Sequence, residues 1–276
     1  MHRAFLVALA AALVLAGCGS AGSPPSKQVS VTITRDFGAK RLAYAAAAGP
    51  ANGETVLSFT RRHSGLRPGP GWSSFVNGIA TRGTADLNPG DRVWWDRHPG
   101  HVHVRAVVGS FPEPFRSGSG GARFPVRIEC AQVGGPACTL TRDRMRATVP
   151  DTAVAEVGGT AGKDVLRILV GPWRVIREDP ALQQIQRGPG ASGVYVRPSP
   201  AANSIAVLDP AGATTRTLGP GEGLIAATRL GDQQPTWAVT GVDEAGAKAA
   251  AAALTEQALK NRFAAAVQGK TVLSVP

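Results

Sequence analysis

The sequence predicts an α+β part followed by an α/β part with a mixed sheet, both behind an N-terminal export segment. Three observations carry this prediction. Residues 28–110 run strand, helix, hairpin, strand. Residues 123–276 contain three strand-to-helix units, the pattern of a layered sheet with helices on at least one face. Between them, Gly118-Ser119-Gly120-Gly121 marks a linker over residues 111–122.

The export segment comes first in the chain. Arg3 supplies positive charge, and an apolar run follows from Ala4 to Ala16. A spanning helix needs about 20 apolar residues, so this run suits a signal-peptide h-region instead. It closes on Leu15-Ala16-Gly17-Cys18. Small residues let the chain lie extended in a peptidase cleft, and the thiol is a nucleophile for lipid attachment. The pattern resembles the bacterial lipobox. Residues 1–17 are therefore expected to be a lipoprotein signal peptide and Cys18 the lipidated residue. An ordinary secretory signal with a chance cysteine is the alternative. Residues 18–27, with Gly19, Ser20, Gly22, Pro24 and Pro25, read as a flexible tether. The implied place is the outer face of the bacterial cytoplasmic membrane, held through the anchor.

In the first part, Gln28 to Thr34 alternates polar and apolar residues over a β-branched run, which predicts a strand. Glu54 to His63 predicts a helix with Val56, Leu57 and Phe59 apolar. Phe75-Val76-Asn77-Gly78-Ile79 places Asn-Gly between apolar residues, a hairpin signal. Leu87-Asn88-Pro89-Gly90-Asp91 is a second turn, and Arg92 to Asp96 a strand. This order is that of a β-grasp.

The same residues resemble a family, the transcobalamin-like C-terminal domain, a β-grasp module of bacterial surface proteins. The resemblance runs from Val29 to about Trp95. It rests on Thr55-Val56-Leu57, on Val76-Asn77-Gly78, and on Leu87 with Gly90-Asp91-Arg92-Val93-Trp94. It implies a β-grasp over residues 28–110 and a corrinoid-like ligand. The large helical domain with which the vitamin carriers enclose their ligand has no counterpart in this sequence.

In the second part, Phe124 to Glu129 predicts a strand and Leu140 to Ala147 a short helix. Val165 to Val170 predicts a strand running into Gly171-Pro172-Trp173, then a helix over 174–187 stopped by Gly188-Pro189. Strands follow at Gly193–Arg197, Ile205–Leu208, Leu224–Thr228 and Trp237–Thr240. A helix is expected from Asp243, a good N-cap, to about Phe263, with Glu256 and Lys260 paired at i, i+4. Leu169-Val170-Gly171-Pro172-Trp173, Gly188-Pro189, Ser192-Gly193-Val194 and Trp237 with Thr240-Gly241 resemble the second half of actinobacterial lipoproteins carrying the same β-grasp.

The formal net charge is +11. The arginines are scattered, and no dense basic run alternates with aromatics, so nucleic acid is not expected as a partner. A basic exterior suits anionic lipid heads or wall polymers, and scattered arginine also fits codon bias. Beyond Cys18, Cys130 and Cys138 form an even pair in an oxidising compartment and are expected to be a disulfide.

Candidate chemistry is sparse. His98, His101 and His103 are a weak metal candidate, with Asp96 close and no fixed fourth ligand. Gly188-Pro189-Gly190-Ala191-Ser192-Gly193 matches a dinucleotide fingerprint by letter, but a helix precedes it and a strand follows. No Gly-x-Ser-x-Gly elbow occurs, and no histidine lies beyond His103. Trp94 and Trp95 face opposite sides of a strand. One is expected in the core; the other either stacks on a ligand or is covered. Trp72, Asn77 and that indole form the expected contact surface for a ligand or partner. Two functional readings follow. The first is a non-enzymatic, lipid-anchored binding protein serving a small ligand or a transporter or envelope partner. The second is an envelope enzyme acting on glycan, which requires two carboxyl groups about 5–9.5 Å apart in a cleft.

Overall fold

The computed structural model describes residues 27–276 except 101 and 160. The signal peptide, nearly all of the tether, Cys18 and His101 lie outside the described residues.

The first part is a five-stranded sheet crossed by one helix. Strand β1 (Val29–Arg35) pairs antiparallel with β2 (Lys40–Ala47) and parallel with a strand at Arg92–Arg97. Helix α1 (Val56–Ser64) starts at Thr55, whose hydroxyl accepts from the Ser58 amide in a reciprocal capping box. It ends at Gly65, in the left-handed region at φ 70°. Strands β3 (Ser73–Val76) and β4 (Ile79–Thr81) form the expected hairpin, and β5 (Arg92–Arg97) completes the sheet. The order is β2-β1-β5-β3-β4. Asn77 and Gly78 both have positive φ, 53° and 78°, as a type I′ hairpin turn requires.

The period of two in β1 decides the two faces. Val29, Val31 and Ile33 join Val93, Trp95, Val56 and Phe59 in a core beneath α1. Ser30 and Thr32 point to the other face, beside Arg92 and Trp94 of β5. Strand β2 was not anticipated. Its Lys-Arg-Leu-Ala-Tyr-Ala-Ala-Ala sequence is alanine-rich, and it is held as an edge by main-chain pairing to β1.

The second part holds two sheets. Strand β6 (Val126–Cys130), helix α2 (Pro136–Arg146), β7 (Ala153–Glu156) and β8 (Leu166–Pro172) lead into the short helices α3 (Trp173–Ile176), α4 (Pro180–Gln186) and α5 (Pro189–Ser192). Strands β9 (Val196–Pro198), β10 (Ile205–Leu208) and β11 (Thr214–Leu218) form an antiparallel three-stranded sheet. Then come β12 (Gly223–Thr228), β13 (Thr236–Gly241), α6 (Glu244–Ala252), α7 (Glu256–Leu259), β14 (Ala264–Gln268) and β15 (Thr271–Val275). The large sheet runs β15-β14-β12-β13-β8-β6-β7. Pairings from β13 to β7 are parallel and those from β13 to β15 antiparallel, so the sheet is mixed, as expected. Alanines of α6 pack on one face with Met145 of α2, Ile168, Trp237 and Val239.

Several expected boundaries are corrected. The helix over 174–187 is split at Asp179-Pro180, where Pro180 starts α4 and the Asp179 carboxylate caps it. The helix from Asp243 stops at Ala252. Thr255 caps the separate α7, and residues 264–268 form a strand buried from Ala264 to Val267. Lys260 lies past the end of α7, so the i, i+4 pair does not form, and Glu256 binds Arg92 instead.

Residues 111–122, expected as a linker, are packed. Phe111 and Phe115 lie against Trp237, at 6.0 and 5.0 Å between ring centroids. Glu113 is fully buried and accepts from Arg116 and from the Ser117 amide and hydroxyl. The two parts also share a core. Phe263 lies within 5.5 Å of Phe37, Phe75, Trp94 and His98, measured between ring centroids. Gly109 permits this approach, since a Cβ there would stand 2.6 Å from the Trp94 ring and 2.8 Å from the Arg262 backbone.

Cys130 and Cys138 are joined as expected, with their Cα atoms 5.7 Å apart. The bridge ties the end of β6 to α2. Closing a loop this short contributes about 2–3 kcal/mol in the chain-entropy picture.

Candidate functional site

Where the two parts meet, the sheet face opposite α1 is only partly covered. Phe75 and Trp94 pack against Phe263. Toward β1 and β2 the face opens into a polar cleft of about 210 Å³. Ser30, Thr32 and Trp94 contribute the sheet side, together with Tyr44 of β2. Glu256, Lys260 and Asn261 approach from the second part, and Arg92, Ser110 and Arg116 also line it.

Much of this lining has hydrogen-bonding capacity to spare. The side chains of Ser30, Thr32, Ser110, Lys260 and Asn261 make no hydrogen bond or ion pair with any described residue. Tyr44, on the edge strand β2, is 58 % exposed. Arg92 donates to the Phe111 carbonyl at 3.2 Å and to Glu256 at 2.7 Å. Arg116 is tied to the buried Glu113, whose charge offsets its own.

Of the residues named for the expected contact surface, Trp94 lines the cleft, whereas Trp72, Asn77 and Trp95 do not. Both Trp94 and Trp95 are buried, so the strand has no exposed indole. The Trp94 indole N–H donates to Thr34 at 2.7 Å, and that of Trp95 donates to Thr60 at 2.9 Å. Two opposed faces hide both because each face carries a core: α1 on one side, the second part on the other. Trp72 is half-buried against the α1 core. Asn77 is fully buried, donating to Asp91 and to the Gly118 carbonyl and accepting from the Arg92 amide. It secures the hairpin to the segment at 118. Burial pushes the Asp91 carboxyl upward, opposed by hydrogen bonds from Asn88 and Asn77.

Of the histidine cluster, His98 and His103 lie among the described residues. The His98 side chain is 6 % exposed, its Nδ1 2.9 Å from the Asp96 carboxylate and its ring 4.3 Å from that of Phe37. His103 is exposed, and His101 lies outside the described residues. Among the described residues no group of three His, Cys, Asp or Glu is placed to hold a metal. Glu178-Asp179 and Asp243-Glu244 serve helix starts: Asp179 and Asp243 are N-caps, and Glu244 accepts from the Ala137 amide.

Sequence reasoning missed Ser30, Thr32, Tyr44, Lys260 and Asn261. The alternation in residues 28–34 does place Ser30 and Thr32 on one face. What covers that face depends on residues some two hundred positions away. Comparison with protein-family models, curated proteins and solved structures returned no match for this chain. Among the described residues no helix is long and apolar enough to cross a membrane.

Proposed function

We propose that this is a lipid-anchored, extracytoplasmic binding protein that holds a small polar ligand in the cleft between its two parts. The observation that carries the reading is the convergence there of side chains with unused hydrogen-bonding capacity beside an exposed tyrosine. Buried polar groups are normally satisfied by protein or by ordered water, and a polar guest can replace that water along such a lining. The first part is read as a β-grasp; its strand order and the helix crossing one face support this. The transcobalamin-like resemblance suggested a corrinoid. At about 210 Å³ the cleft is smaller than the roughly 300–1,000 Å³ of pockets that enclose drug-sized molecules. A corrinoid would have to lie across its mouth. Glu256 is the sole carboxylate among the described lining residues, which favours binding over a two-carboxylate glycosidase.

Thr32→Trp, which fills the cleft from its sheet side, tests this reading. The full chain in detergent is screened by thermal shift against sugars, sugar acids and sugar phosphates. A ligand at a hundred times its Kd stabilises by about 2.7 kcal/mol. Such stabilisation is expected in the parent and absent in Thr32→Trp. Equal stabilisation of both proteins would place binding elsewhere.

The anchor rests on Cys18 and its preceding residues. Cys18→Ala is expected to yield protein released from membranes or retained as unprocessed precursor. Unchanged membrane fractionation with a normal mature mass would refute the anchor.

A further inference from the structure

We infer that the ligand is a hydroxyl-rich anion, an acidic sugar bearing a carboxylate or phosphate, and that it displaces Glu256 from Arg92. This rests on the binding reading above and specifies its chemistry. Arg92 is the group best placed to receive an anion. The Phe111 carbonyl fixes one of its nitrogens, so the guanidinium is oriented before any ligand arrives. Its present partner is easily exchanged: the Glu256 side chain is 59 % exposed, and exposed ion pairs of this kind are weak. A carboxylate or phosphate can take two parallel hydrogen bonds from a guanidinium. Lys260 supplies a second, exposed cation without an ion-pair partner among the described residues. With Arg116 neutralised by Glu113, Arg92 and Lys260 face Glu256 as the only opposing charge among the described lining residues. The rest of the site matches the body of a sugar. Ser30, Thr32, Ser110 and Asn261 offer hydroxyl and amide groups to ring hydroxyls, and Tyr44 offers an aromatic face.

The test is calorimetric titration of the full chain in detergent with three probes: glucuronate, glucose 1-phosphate and glucose. The two anions separate a carboxylate source from a phosphate source, and glucose is the neutral control. At least one anion is expected to bind roughly tenfold more tightly than glucose, with affinity falling as salt is raised. Arg92→Gln should remove that advantage. Lys260→Gln should reduce it, and because Lys260 is exposed this variant should keep the fold. Glu256→Gln should increase anion affinity, because it removes both the competitor and the repulsion. Glucose binding as tightly as the anions, with Thr32→Trp abolishing both, would overturn the anionic assignment and leave the cleft reading standing. Anion binding unaffected by Thr32→Trp would overturn both. No heat with any of the three probes would overturn the acidic-sugar assignment, and the thermal-shift panel then judges the cleft separately.

Discussion

Asp96→Ala is expected to destabilise the protein by about 3–5 kcal/mol, the cost typical of breaking a buried charged cluster. The Asp96 side chain is fully buried at the end of β5. It accepts from the Thr34 hydroxyl and from the amides of Phe37 and Gly38, and it contacts His98. Those two amides belong to the turn between β1 and β2, where Asp36 and Phe37 both take positive φ, 59° and 55°. A left-handed conformation costs a non-glycine residue about 1–2 kcal/mol. Here the carboxylate satisfies the turn's amides, and Phe37 inserts its ring among Tyr195, His98 and Phe263. Without the carboxylate, two amides lose a buried acceptor, and the contact between the two parts loosens. Urea unfolding should show a lower midpoint. Thr34→Val, which removes one donor to Asp96 and also leaves the Trp94 indole N–H without its acceptor, should cost less, about 1–3 kcal/mol. A loss below that in Asp96→Ala would mean that water or backbone rearrangement replaces the carboxylate, and the turn would not depend on it.

Glu129→Leu should cost a comparable amount, about 3–5 kcal/mol, for a different reason. Glu129 is fully buried on β6 and holds Arg167 of β8 through two parallel bonds of 2.8 Å. Arg167 also donates to Asp179 at 2.6 Å. Burial alone would lower the guanidinium pKa. Hydrogen bonds and charge from Glu129 and Asp179 outweigh it and hold the pKa above its ordinary value, so the arginine stays charged. Removing Glu129 leaves the half-buried Arg167 with Asp179 as its remaining ion-pair partner and also removes a carboxylate 3.6 Å from Arg127. The double variant Glu129→Leu with Arg167→Met should be less destabilised than Glu129→Leu alone, because it also removes the stranded charge. Additive losses in the double variant would show that the two side chains act independently and that packing dominates.

Some of this protein was readable one segment at a time. Alternation in Gln28–Thr34 determined β1 and its two faces. Asn77-Gly78 determined the hairpin, because few residue pairs accept positive φ twice in succession. Asp243 determined the start of α6 through its short side chain, which reaches the Gly246 amide. The cysteine pair determined its bridge, with no other described thiol to compete. These features depend on dihedral preference, capping or short loops, all of which act within a few residues.

The rest depended on partners far along the chain. The run Ala264-Ala265-Ala266-Val267 is compatible with helix by propensity. It becomes β14 because β12 and β15 offer main-chain partners on both sides. Lys40 to Ala47 likewise owes its extended form to β1. Burial of both Trp94 and Trp95 needed a second layer that no local pattern announces. The cleft needed more still: Ser30, Arg92 and Lys260 become neighbours only when the second part packs on the open sheet face. Local sequence thus determined some of the elements and their faces. Tertiary packing decided what covers each face and which polar groups remain unsatisfied, because burial and hydrogen-bond satisfaction are properties of the assembled chain.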